Sequence, residues 1–75
     1  MLTVRTFARY KHLLGFDSLT LALPEPALLG VLLQDPRFAR LPAEALLAIN
    51  QSFADRNARL QDGDEIALMP PVSGG

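Results

Sequence analysis

Asp62-Gly63-Asp64-Glu65-Ile66-Ala67-Leu68-Met69-Pro70-Pro71-Val72-Ser73-Gly74-Gly75 is the stretch that decides the fold of this chain. Asp-Gly-Asp is a strong turn signal, because glycine accepts positive φ and aspartate bonds its own nearby backbone. The next residues alternate, Ile66 and Leu68 to one side and Glu65, Ala67 and Met69 to the other, which is the period of a half-buried strand. Pro70-Pro71 then ends the ladder, since proline has no N–H to donate and favours extended geometry. A closing strand therefore runs through a stiff linker into Val72-Ser73-Gly74-Gly75.

The same alternation opens the chain. From Met1 to Ala8, Leu2 and Val4 share one face and Thr3 and Arg5 the other. By parity Phe7 belongs with Thr3 and Arg5 on the polar face; the competing reading is a strand-end bulge that turns the ring inward. Arg9 to Asp17 reads as a connector containing Gly15, and Ser18 to Leu23 alternates again through Leu19, Leu21 and Leu23, which suggests a hairpin. Pro24 and Pro26 stop that ladder, and Pro26 suits the first turn of a helix, where its missing N–H costs nothing. Leu28, Leu29, Leu32 and Leu33 form a broad apolar stripe, so a helix is expected over Pro26 to Gln34, ended by Asp35-Pro36.

Arg37 to Glu44, with Phe38, Leu41 and Pro42, lacks clear periodicity and reads as an irregular crossover with room for a short helical turn. Leu46 to Asn50 is short enough for a strand, although Pro42-Ala43-Glu44-Ala45 would also start a helix. Asn50-Gln51-Ser52 reads as a turn, and Phe53-Ala54 as the start of a short edge strand. Strand, strand, helix, strand, short strand, strand is an α+β order, with the helix packed across a mixed sheet, the β-grasp or ubiquitin-like pattern. The expected division is a β-grasp domain over residues 1–69 and a projecting, flexible tail over residues 70–75.

Composition narrows the function. The chain has 75 residues, 49% of them hydrophobic and 20% charged, which argues for a single folded domain. Its net charge of −1 supplies no field to draw in nucleic acid; Arg5, Arg9, Lys11, Arg37, Arg40, Arg56 and Arg59 read as solvated surface charge, or locally as a basic patch for a partner. With no cysteine there is no disulfide, thiolate metal site or cysteine nucleophile. Ala27 to Leu33, the longest apolar run, is far short of the roughly 20 residues that span a bilayer, and the start of the chain lacks a secretory signal's layout. A cytoplasmic protein without membrane contact is the default. His12 has no partners for a metal site or triad, and Asp55, Asp62, Asp64 and Glu65 are explained by turn chemistry. No metal site, bound cofactor or internal active site is expected.

That leaves the tail. Glycine makes up about 7% of average sequence, so a closing pair arises by chance in roughly one chain in two hundred. The pair gains weight because it follows a well-formed strand through a stiff linker. At about 3.3 Å per residue the tail from Pro70 to Gly75 spans up to roughly 20 Å, enough to thread a narrow channel in another protein. Gly74-Gly75 is the slimmest peptide that can enter one. A carboxylate is a poor electrophile until activated, and an ATP-derived acyl adenylate is the natural activated form.

From Asp62 to Gly75 the sequence is similar to the closing signature of the small-subunit family of molybdopterin synthase. Leu2 through Ala8, Phe7-Ala8-Arg9, the Asn50-Gln51 turn and the segment Pro26 to Gln34 also fall in register with that family; Asp35 to Glu44 is least typical. The resemblance implies that the first and last strands are neighbours, with Phe7 beside Met69. It implies that Gly75 is adenylated by an activating enzyme that uses ATP, converted to a thiocarboxylate with sulfur from a donor, and inserted into the large synthase subunit in a heterotetramer. There the sulfur passes to cyclic pyranopterin monophosphate, and two deliveries build the dithiolene of molybdopterin. By the same resemblance Ser73 and Gly74 line the slim tail, and Phe7, Phe53 and Met69 take the places of the family's apolar docking surface, Met69 departing in shape but not in polarity. The nearest alternatives are the sulfur carrier of thiamine thiazole synthesis, which lacks the Pro-Pro and ends in a different tetrapeptide, and a ubiquitin-like protein modifier. A binding module with an accidental Gly-Gly is the alternative from another class.

Overall fold

Five strands form one mixed sheet in the computed structural model, which describes residues 1–71. They are β1 (Leu2–Thr6), β2 (Ser18–Leu21), β3 (Leu46–Ile49), β4 (Ser52–Ala54) and β5 (Glu65–Met69), in spatial order β2-β1-β5-β3-β4. β1 and β5 are parallel, and every other pair is antiparallel. This is the expected β-grasp sheet, with the first and last strands adjacent at its centre. The tail residues Val72, Ser73, Gly74 and Gly75 lie outside the described residues.

Alternation sorts the side chains. Leu2, Val4, Ile66 and Leu68 are fully buried on one face of the sheet. Against them pack Tyr10 from the short helix α1 (Tyr10–Leu14), Leu29 and Leu32 from α2 (Leu29–Leu32), Phe38 from a 3₁₀ turn (Pro36–Phe38), and Leu60. Burying each such side chain stabilises by about 1.5–3 kcal/mol. Thr6, at the end of β1, is also buried, and its hydroxyl donates to the Phe16 carbonyl.

The helical parts depart from expectation. The helix foreseen over Pro26 to Gln34 is a single turn. Its start is delayed because Ala27 and Leu28 pair with the 59–60 segment: Leu60 N–H donates to the Ala27 carbonyl at 2.8 Å, and Leu28 bridges Arg59. Leu28 is accordingly extended (φ −120°, ψ 144°), and the first helical N–H groups find backbone acceptors instead of a side-chain cap. Leu29 N–H donates to the Ala58 carbonyl at 2.9 Å, and Gly30 N–H to that of Arg56 at 2.8 Å. A Cβ on residue 30 would stand 3.0 Å from the Arg56 carbonyl oxygen, so glycine permits this approach. The far end closes at Asp35, held extended before Pro36, with its carboxylate accepting the Arg37 N–H at 2.9 Å.

The connector after β1 contains α1, closed by Gly15 in the left-handed region at φ 84°. Leu23 falls beyond β2 and is exposed. Leu46–Ile49 is strand, which settles the open reading of that run. Asn50 (φ 51°) and Gln51 (φ 70°) both lie in the left-handed region, as a two-residue type I′ hairpin turn requires.

One polar cluster locks this hairpin to the centre of the sheet. Asn50 Nδ2 donates to Asp64 Oδ1 at 2.9 Å, and Glu65 N–H to Asn50 Oδ1 at 3.0 Å. Gln61 N–H donates to Asp64 Oδ2 at 2.8 Å, and the Asp64 carbonyl accepts Thr3 N–H at 3.0 Å. Asp64 is buried, so its loss would strand the Asn50 amide and the Gln61 N–H. Asp64→Ala is expected to destabilise the domain by about 1–3 kcal/mol in urea unfolding, and an unchanged midpoint would show that the cluster is dispensable.

Candidate functional site

Among the described residues, no layer packs over the opposite face of the sheet. Glu65, Ala67 and Met69 point there from β5, Arg5 from β1, Leu46 and Ala48 from β3, and Phe53 from the edge strand β4. Phe7, just past β1, donates its N–H to the Leu68 carbonyl at 3.2 Å and stands on this face beside Met69. The parity reading of Phe7 therefore holds, and its ring does not turn into the core. Phe53 is 78% exposed, an unusual place for a phenylalanine with nothing to cover it.

These side chains surround a hollow of about 310 Å³ lined by Phe7, Phe53, Met69, Ala48, Ala67, Gln51 and the Arg5–Glu65 pair. The Arg5 guanidinium lies 5.4 Å from the Phe7 ring centroid and 3.9 Å from the Glu65 carboxylate. Both partners of the ion pair are about half exposed, so it adds little stability and can be rearranged by an arriving surface. Of the three docking residues expected from sequence, all share this face. Ala48, Ala67, Arg5 and Glu65 were not expected there as site residues. The alternation of β5 already put Ala67 between Glu65 and Met69, whereas Ala48 joins them only through the β3–β5 register.

The tail begins at the same place. β5 ends at Met69, and Pro70 and Pro71 follow, both half-buried. Any protein that receives the residues after Pro71 meets the root of the tail beside Phe7 and Met69. His12 is exposed and does not line this hollow, and Lys11 and Arg37 make exposed pairs with Asp17 at 3.7 Å and Asp35 at 3.6 Å. Among the described residues no group of three or more histidine, aspartate or glutamate side chains converges to hold a metal, and no helix is long and apolar enough to cross a membrane.

The model of the ThiS family matches residues 4–75. The chain belongs to the ThiS family. Within the relatives of this ThiS-family chain, the molybdopterin synthase sulfur carrier subunit of Arabidopsis thaliana is 34% identical over 77 residues, covering 96% of this chain and 80% of the relative. The protein of the same name from Escherichia coli is 33% identical over 81 residues, covering all of both chains. Among solved structures, the complex of subunits 1 and 2 of the molybdopterin-converting factor from Helicobacter pylori contains a chain that matches with a TM-score of 0.65 and 28% identity, over 99% of this chain and 97% of that one.

The open face makes a distinction that unfolding can read. Phe53→Thr keeps strand propensity and removes a ring that packs little, so urea unfolding should stay within about 0.5 kcal/mol of the parent. A loss of several times that would place the ring in the core.

Proposed function

We propose that this ThiS-family chain is the sulfur carrier subunit of a molybdopterin synthase, acting in the cytoplasm, with Gly75 as the group that carries sulfur. One observation carries the reading: the match to the Escherichia coli sulfur carrier subunit runs over the whole of both chains, and so includes the Gly-Gly end. The exposed apolar face at the root of the tail supports it, because a carrier must be held while its terminus reaches into another protein.

In this reading the domain supplies binding and delivery, and partners supply the catalysis. An activating enzyme uses ATP to turn the Gly75 carboxylate into an acyl adenylate; sulfur from a donor displaces the nucleotide and leaves a thiocarboxylate. The sulfur is then given up to cyclic pyranopterin monophosphate inside the large subunit, in a heterotetramer of two small and two large subunits. Pro70 and Pro71 keep the linker from folding back, and Val72, Ser73 and Gly74 are narrow enough to follow Gly75 into a channel. Phe7, Phe53 and Met69 dock the large subunit through the open face.

Deletion of Gly75 removes the reacting group, and the core of the described residues ends at Leu68. The truncated chain should keep the circular dichroism spectrum and melting temperature of the parent and lose sulfur transfer in an assay with large subunit, activating enzyme, ATP and sulfide. Transfer at the parent's rate would exclude Gly75 as the carrier.

A further inference from the structure

The open face is not a continuous apolar patch. Its register sets Arg5, Ala67, Ala48 and Phe53 in one row across β1, β5, β3 and β4. The row is bulky at both ends and small in the middle. Phe7 and Met69 close it on the side of the tail, and the hollow between these walls has the two alanine methyl groups as its floor. Ala48 is only 4% exposed although it points away from the core, because the larger side chains overhang it.

An unfilled hollow of this kind leaves its walls without dispersion partners on one side. Arg5 and Glu65, its charged groups, face each other at the rim, so nothing on the floor calls for a charged guest. The tail leaves from Met69 beside the hollow, so the protein that takes the tail also covers the alanines.

Resting on the reading that this face docks the large subunit, we propose that Ala48 and Ala67 form a socket for one aliphatic or aromatic side chain of that subunit. The small residues determine which partner fits, while Phe7, Phe53 and Met69 supply the contact area around the inserted side chain. A larger residue at position 67 would occupy the space intended for the guest.

The test measures binding of the full chain to the large subunit by calorimetry. Ala67→Leu is expected to weaken binding by at least about tenfold with the fold unchanged by circular dichroism, whereas Ala67→Ser, close to alanine in size, should stay within about threefold. Met69→Asp serves as the control for the docking face and should also weaken binding. If Met69→Asp weakens binding and Ala67→Leu does not, the face docks the partner but the socket is wrong. If neither variant weakens binding, the docking reading itself fails. Should Ala67→Leu fail to fold, methyl NMR of the parent labelled at alanine decides: the Ala48 and Ala67 resonances must shift when the large subunit is added, and unshifted resonances would overturn the socket.

Discussion

The parallel pairing of β1 with β5 is the constraint from which the rest of this structure follows. It brings the two ends of the domain together, with Val4 opposite Ile66 and Thr6 opposite Leu68. Parallel neighbours cannot be joined by a tight turn, so the chain between them must cross the sheet, and here it does so with short helical turns and irregular segments. Those segments bring Leu29, Leu32 and Phe38 onto one face of the sheet, where Tyr10 from the β1–β2 connector joins them. The other face is left open by the described residues, and the strand that forms its middle leads into the tail.

Register is what joins stability to function. A slip of one residue between β5 and its neighbours would exchange Ile66 and Leu68 for Glu65, Ala67 and Met69, burying a carboxylate and exposing the core. The Asn50–Asp64 cluster opposes such a slip by fixing the start of β5 to the turn between β3 and β4, while Thr3 N–H fixes it to β1. The same hydrogen bonds therefore set the row of Arg5, Ala67, Ala48 and Phe53 on the face away from the core, although none of the bonded groups lies in the hollow's floor.

Legibility in the sequence followed how local the deciding interaction was. β5 was readable to its last residue because Asp62-Gly63 and Pro70-Pro71 punctuate it on both sides. Phe7 lies just past β1, yet it keeps the parity of the strand because its N–H is still paired with the Leu68 carbonyl of β5. Leu46 to Asn50 remained ambiguous, since the residues suit either element and pairing with β5 decided between them. The helix after Pro26 was overestimated because Leu28 is drawn into a bridge with Arg59, a partner far along the chain. The helical turn at Tyr10 leaves no local signal in the sequence because it buries one large side chain and has no stripe. Alanines 48 and 67 carry no local sign of importance; their meaning comes from what stands around them.

The central claim is that the terminal carboxylate of this ThiS-family chain is the sulfur-bearing group, and intact mass spectrometry tests it most directly. The full chain is incubated with the activating enzyme, ATP and sulfide, and its mass is compared before and after, with fragmentation to locate any change. A gain equal to the exchange of one oxygen for one sulfur, confined to Gly75, is the expected result. An unchanged mass under conditions in which the same enzyme converts another carrier, or a gain located elsewhere in the chain, would contradict it.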